Sequence, residues 1–231
     1  MKRLHVFPAL IFALMIASPL AAKEDWKYVR TRDGIEIYTA VVAGSSIYAC
    51  KGVAVMNARI EEVAELIRDV PAVPEWTPDM KVARILSKQD NYHMLVYNVL
   101  HLPWPLKDRD FVVESKVKLD LAKGKVEICA DALLDPPIPV NKDLVRITRM
   151  QIRYFLEYID REHTRVTLTS WTDPAGYLPA AIVNLVATKL PYDSLDGMRR
   201  LLKREKYVEL GKMSGERPLV EEQISLGNLK P

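Results

Sequence analysis

The sequence predicts an α+β domain: one curved antiparallel sheet with a long helix laid against its concave face. Three observations carry this prediction. Apolar residues recur at helical spacing near residues 60–67 and again from 179 onward. Between those segments lie six stretches of strand length, over 81–86, 92–100, 111–119, 125–132, 144–159 and 165–171. Short polar turns join them, and consecutive strands with short links pair antiparallel.

Each element follows from local chemistry. Asp33-Gly34 is a turn signal, and Ile35-Glu36-Ile37-Tyr38 alternates after it. Residues 47–56, rich in Val and Ala, read as a strand. Asn57 suits the N-cap of the next helix, because its side chain can accept from free backbone N–H groups. In that helix Ile60, Val63, Ala64 and Ile67 form the apolar face, with Glu61, Glu62, Glu65 and Arg68 opposite. Pro71 and Pro74 stop it, and Trp76 closes a compact corner. Polar turns at 89–91, 122–124 and 160–163 separate the strands. The stretch 144–159 is long enough for two pieces. Residues 135–141 hold three prolines and form a loop. Pro179 suits the first turn of a helix. Ile182, Leu185 and Val186 then share one face, and Met198, Leu201 and Leu202 extend the stripe. Pro191 imposes a kink or break near Leu190. A helix over 179–206 is roughly 40 Å long, enough to cross a sheet. Residues 208–231 lose periodicity and read as a mobile tail.

The front of the chain predicts its compartment. Lys2 and Arg3 precede an almost wholly apolar run over 4–20, and Leu20-Ala21-Ala22 ends in small residues before Lys23-Glu24-Asp25. That is the layout of a secretory signal peptide, residues 1–22, and the expected location is periplasmic or secreted. The rival is an uncleaved anchor, although His5, Pro8 and Pro19 interrupt a run already short for a membrane span. Cleavage removes two of the 33 Lys and Arg, leaving 31 against 30 Asp and Glu. Such near-neutrality excludes a general nucleic-acid binder, which needs a basic excess. About 209 residues remain, enough for one domain with a sizeable core. Cys50 and Cys129 fall in strand-like runs and read as small buried side chains, with a disulfide as the alternative. Neither a metal-ligand spacing nor a cofactor motif occurs, so no cofactor is expected.

The motifs carry a resemblance. Trp104-Pro105-Leu106-Lys107-Asp108-Arg109-Asp110-Phe111-Val112, Asp173-Pro174-Ala175-Gly176-Tyr177-Leu178-Pro179 and Asn184-Leu185-Val186 resemble the signature segments of START domains. These are the lipid-transfer domains related to the steroidogenic acute regulatory protein. Val73-Pro74-Glu75-Trp76 resembles the family's corner after its first long helix. The match runs in order across residues 26–206. It implies a helix-grip fold over 23–207, similar to Bet v 1, with an internal apolar tunnel between sheet and C-terminal helix that holds one lipid. A sterol, a phospholipid or a similar apolar molecule would fit. A signal segment ahead of it resembles a bacterial envelope version.

A lipid tunnel needs an apolar lining. Phe111, Val113, Ser115, Val117 and Leu119 share one strand face and are expected to point into it. Leu178, Ile182, Leu185 and Val186 are expected to close it from the helix. Several relatives carry a buried Arg near the Ser115 position, paired with an acid on the preceding strand. Here Ser115 and Tyr97 or Asn98 stand in those places, so the ion pair is expected to be absent. Tyr97, Asn98 and Ser115 either bond a ligand head group or satisfy one another. The loop with Leu102 and Trp104 is apolar; Trp104 either packs beneath the long helix or enters a membrane interface. Asp108-Arg109-Asp110 reads as the start of a strand in which Arg109 pairs with a carboxylate, and a catalytic role is the alternative. His93, His101 and His163 read as surface or core residues. Arg199, Arg200, Lys203, Arg204 and Lys206 read as a solvated face complementing the helix dipole, or as a patch for anionic lipids.

The expected function is a non-enzymatic carrier that touches membranes transiently. The alternative is an enzyme, a cyclase or hydrolase of the same superfamily, with Tyr97, His101 or Asp110 as acid or base. A third reading is a subunit that presents lipid to an envelope protein partner.

Overall fold

The computed structural model describes residues 25–231; the expected signal segment, residues 1–22, lies outside the described residues. Ten strands form one sheet: β1 (Lys27–Arg32), β2 (Ile35–Ala40), β3 (Ala49–Met56), β4 (Met80–Lys88), β5 (His93–Leu100), β6 (Arg109–Asp120), β7 (Lys125–Ala132), β8 (Val145–Arg146), β9 (Arg149–Tyr158) and β10 (Thr164–Asp173). Their order is β1-β2-β3-β10-β9-β7-β6-β5-β4, every neighbouring pair antiparallel. β8 adds a short parallel pair to the start of β6, beyond the point where β7 ends. The stretch 144–159 therefore does split in two, at Ile147-Thr148. β1 is a strand the sequence does not announce, because both its faces are exposed and it carries no alternation.

Helices α1 (Ile60–Arg68) and α2 (Val73–Trp76) follow β3, and α3 (Ala180–Ala187), α4 (Leu190–Leu201), α5 (Glu205–Met213) and α6 (Glu216–Ser225) follow β10. α1 starts two residues later than Asn57 would dictate. Arg59 is its N-cap, and the Arg59 backbone N–H donates to the Glu62 carboxylate at 3.2 Å, a capping interaction supplied from inside the helix. The C-terminal rod breaks at Thr188-Lys189, with Pro191 in the first turn of α4. α4 lies on the sheet, where Leu195, Met198 and Leu201 join Ile35, Ile37, Met56, Leu156 and Leu168 in the core. A Cβ on Gly52 would come within 2.8 Å of Leu195 and Pro191, so β3 needs glycine where α4 crosses it.

Residues 208–231 are not a mobile tail. They complete α5 and form α6, which fold back over α1; Val220 is buried and Leu210, Ile224 and Leu229 pack on the core. They also cover the side of α1 expected to face solvent, so Glu61 and Glu62 are buried. Ion pairs replace water there. Arg59 bonds Glu61 and Glu221, each at 2.6 Å, and Arg68 bonds Glu65 and Glu216.

This clamp gives stability a pH dependence. Burial opposes the charge of Glu216, but the Ser214 hydroxyl and Arg68 outweigh it and hold the carboxyl below the ordinary glutamate range. The Arg161 and Arg59 guanidiniums do the same for Glu221. A lowered acid contributes stability above its unfolded value, near about pH 4.3, and loses it as pH falls through the folded value. Glu62, raised by burial, has the opposite sign. Glu216→Gln is expected to flatten the fall in urea midpoint between roughly pH 5 and pH 3; an unchanged slope would remove Glu216 from the clamp.

Candidate functional site

A single row of paired residues explains the cavity. Met94, Ser115, Ala130 and Ile152 lie side by side across β5, β6, β7 and β9. Ser115 and Ala130, the small pair in the middle, leave a hollow that larger side chains would fill. Val96 and Val113 extend the floor on one side, and Val117, Ile128 and Tyr154 on the other. Ala64 and Ile67 of α1, Val70, and Val73 and Trp76 of α2 form the roof. The cavity encloses about 120 Å³, less than the roughly 300–1,000 Å³ of pockets that enclose a drug-sized ligand, so a whole lipid enters only if the roof moves outward. From Val117 to Phe111 it follows six residues of β6, or about 20 Å.

Five residues expected at the site line this cavity: Asn98, Phe111, Val113, Ser115 and Val117. Strand alternation made that face legible. Leu119, expected on the same face, packs against the core without bordering the cavity. Tyr97 does not line the cavity. Its neighbour Asn98 takes the inward place, and Tyr97 stacks on Arg84 with the guanidinium 4.8 Å from the ring centre. Leu102, Trp104, Leu178, Ile182, Leu185 and Val186 are also absent from the lining. The reason is the break before α4. α4 alone lies on the sheet, while α3 is held over the β2–β3 loop by Asn184, which accepts from Tyr48 N–H at 2.9 Å and donates to Ser46 carbonyl at 3.1 Å. The roof is therefore α1–α2 rather than the C-terminal helix.

Sequence reasoning missed Tyr154 and the whole roof. The apolar stripe of α1 signalled a buried face but not a hollow beneath it. Alternation along β9 could have paired Ile152 with Tyr154.

The charged groups lie elsewhere. Among the described residues no carboxylate borders the cavity, and the one charged residue that does, Arg68, is committed to Glu65 and Glu216. The buried ion pair of this end is Asp110 with Arg146, two bonds of 2.8 and 2.7 Å. Arg109 does not pair with a carboxylate as expected. Its guanidinium donates to the carbonyls of Pro174, at 3.3 Å, and Lys107, pinning the turn that leads into α3. Burial lowers its pKa, with Asp108 partly offsetting. Asp108 is held well below the carboxylate range by Lys81, the Leu102 N–H and His101. Tyr97, His101 and Asp110 all lie outside the cavity lining. His93 and His163 pair with Glu114 and Asp160 near turns.

Cys50 and Cys129 are free thiols. Burial pushes Cys50 up to about 12 and Cys129 to about 11, the latter helped by Glu127. The basic cluster at the end of α4 and the start of α5 is mostly neutralised. Arg200 pairs with Asp196, Arg204 with Glu75 and Lys206 with Asp69.

The end of the sheet beside Asn98 and Phe111 gathers the β2–β3, β5–β6, β7–β8 and β10–α3 loops, because Met80, Leu100 and Arg109 are strand ends aligned in register. Its apolar side chains face out. Trp104 is 91 % exposed and Tyr177 98 %, and Val41, Leu134, Val140, Ile182 and Leu185 are exposed beside them. Trp104 therefore does not pack beneath the long helix. Among the described residues, no helix is long and apolar enough to cross a membrane.

A single antiparallel sheet gripping helices over a hollow, with few polar groups inside, defines a small-molecule-binding α+β scaffold. The chain belongs to the START domain family, whose model matches residues 13–207. An uncharacterised protein of Pseudomonas aeruginosa is 28 % identical over 85 % of this chain and 95 % of its own length. The phosphatidylcholine transfer protein of Bos taurus is 23 % identical over 73 % of this chain and 80 % of its own. The crystal structure of a STAR-related lipid transfer protein from Xanthomonas axonopodis superposes with a TM-score of 0.71 at 26 % identity, covering 78 % of this chain and 99 % of that one.

Proposed function

We propose that this chain is a non-enzymatic carrier that holds one lipid in the cavity and moves it between membranes. The observation that carries this reading is the lining: apolar side chains on floor and roof, with no carboxylate among them. Each CH₂ removed from water contributes about 0.8 kcal/mol, so an acyl chain binds without a charged anchor. The relatives named for phosphatidylcholine transfer and lipid transfer support the ligand class.

The loop end is the membrane-docking end in this proposal. α3 is apolar at every position but Asn184, yet none of its residues is buried. A helix apolar all round belongs in a core or a bilayer, and Trp favours the interface. Trp104, Ile182, Leu185 and Val186 would thus touch the membrane. Cleavage after Ala22 would deliver the protein to the periplasm or beyond, which N-terminal sequencing of the mature protein checks.

Transfer of fluorescent phospholipid between vesicles tests the reading. Ala130→Phe fills the hollow and should abolish loading while leaving the thermal midpoint nearly unchanged. Trp104→Ala with Leu185→Ser should retain loading and slow transfer at least tenfold. Full transfer by Ala130→Phe would place the ligand elsewhere.

A further inference from the structure

Tyr154 stands in β9 between Ile128 and Leu168, nearly buried, with its ring on the cavity floor. The ring meets Trp76 edge-on at a centroid distance of 6.1 Å. Burial alone shifts its phenol, with no hydrogen bond from the described residues contributing. Trp76 is 4 % exposed, lines the roof, and its Nε1 is buried and unpartnered. Buried Tyr and Trp ordinarily give their O–H and N–H to a partner, because an unpaired buried donor is costly. Two adjacent donors in one cavity, both unmatched, mark a place where the partner comes from the ligand.

We propose that Trp76 Nε1–H and Tyr154 Oη–H form the polar anchor of the cavity and receive an ester carbonyl oxygen of the bound lipid. The proposal rests on the carrier reading and adds which part of the lipid is held, and by what. Three points fix the chemistry. The indole N–H can only donate, so the ligand atom must accept. A carbonyl oxygen has two lone pairs and can take both bonds. The acceptor must be uncharged, since a phosphate or carboxylate here would be buried without a counter-charge, Arg68 being already paired with Glu65 and Glu216. Burial also keeps the phenol protonated, raising its pKa far above neutrality. Ser115 and Asn98 lie further along the floor toward the loop end, so the anchor is the deep end of the site.

Delipidated protein is incubated with vesicles of dioleoylphosphatidylcholine, of its diether analogue lacking carbonyls, or of the diether with cholesterol, and loading is read by native mass spectrometry. Wild type should take the diester about five- to hundredfold over the diether, the worth of two hydrogen bonds. Tyr154→Phe, which conserves volume, and Trp76→Phe should each lower the ratio of diester to diether taken up. With ¹³C-carbonyl diester bound, the infrared carbonyl band should sit lower in wild type than in Tyr154→Phe, a readout that packing alone does not move. No diester preference in wild type, or one unchanged in both variants, overturns the anchor. Cholesterol taken ahead of the diester assigns the donors to a hydroxyl and overturns the ester assignment. Uptake of none of the three lipids overturns the carrier reading itself, and the anchor with it.

Discussion

Removing residues 208–231 is expected to destabilise the domain by on the order of 5 kcal/mol. The family match ends at residue 207, so the truncated chain keeps everything that the family pattern covers. It loses Val220, buried to 1 %, and the partly buried Leu210, Ile224 and Leu229. Fully burying one such side chain contributes about 1.5–3 kcal/mol. It also strips Glu221 from Arg59 and Glu216 from Arg68. Glu221 is 37 % exposed, so its pair with Arg59 is worth about 1 kcal/mol or less, whereas losing the buried Glu216 costs up to about 3–5 kcal/mol, offset in part by the partner Arg68 keeps and by renewed hydration of Glu61 and Glu62. The effect reaches the site, because Arg68 borders the cavity and would be left with Glu65 alone. Urea unfolding of the two forms measures the difference. A loss below about 1 kcal/mol would make α5–α6 an appendage, free to serve as the arm that captures an envelope partner. The observed packing gives the segment a place in the core instead.

How much of this could be read from sequence depends on which interactions leave a period. The strands were legible because one face of each meets the core; Phe111, Val113, Ser115 and Val117 alternate with outward residues, and that face borders the cavity. β1 escaped because all six of its residues are exposed. α6 escaped for a different reason. Its hold on α1 runs through Arg59, Arg68, Glu216 and Glu221, and ion pairs between elements far apart in the chain impose no spacing on either one. Glu61 and Glu62 read as a solvent face for the same reason. α3 was legible as an apolar helix but not as an exposed one. Nothing in Ile182, Leu185 or Val186 says whether the apolar surface they form meets protein or lipid. Tyr154 was hidden because a tyrosine in a strand is usually an ordinary core residue; only its unmatched hydroxyl distinguishes it.

Gly197→Ala is expected to cost about 2–3 kcal/mol and to impair ligand loading in the same protein. Gly197 lies in α4 where α2 crosses it. A Cβ there would stand 2.6 Å from the Trp76 carbonyl oxygen and 2.7 Å from its Cα, both backbone atoms. A side chain could rotate away; the backbone of α2 cannot without moving the helix. α2 carries Val73 and Trp76, which are part of the cavity roof, so separating α2 from α4 displaces the Trp76 indole from Tyr154. Gly215→Ala supplies the control. Its Cβ meets nothing within 4 Å and its φ of −62° suits alanine, so that change should be neutral or stabilise by about 0.4–1 kcal/mol. Thermal unfolding and lipid loading of the two variants, measured side by side, test the point. If Gly197→Ala unfolds and loads like Gly215→Ala, α2 does not need the close crossing, and Trp76 is held in place by something other than α4.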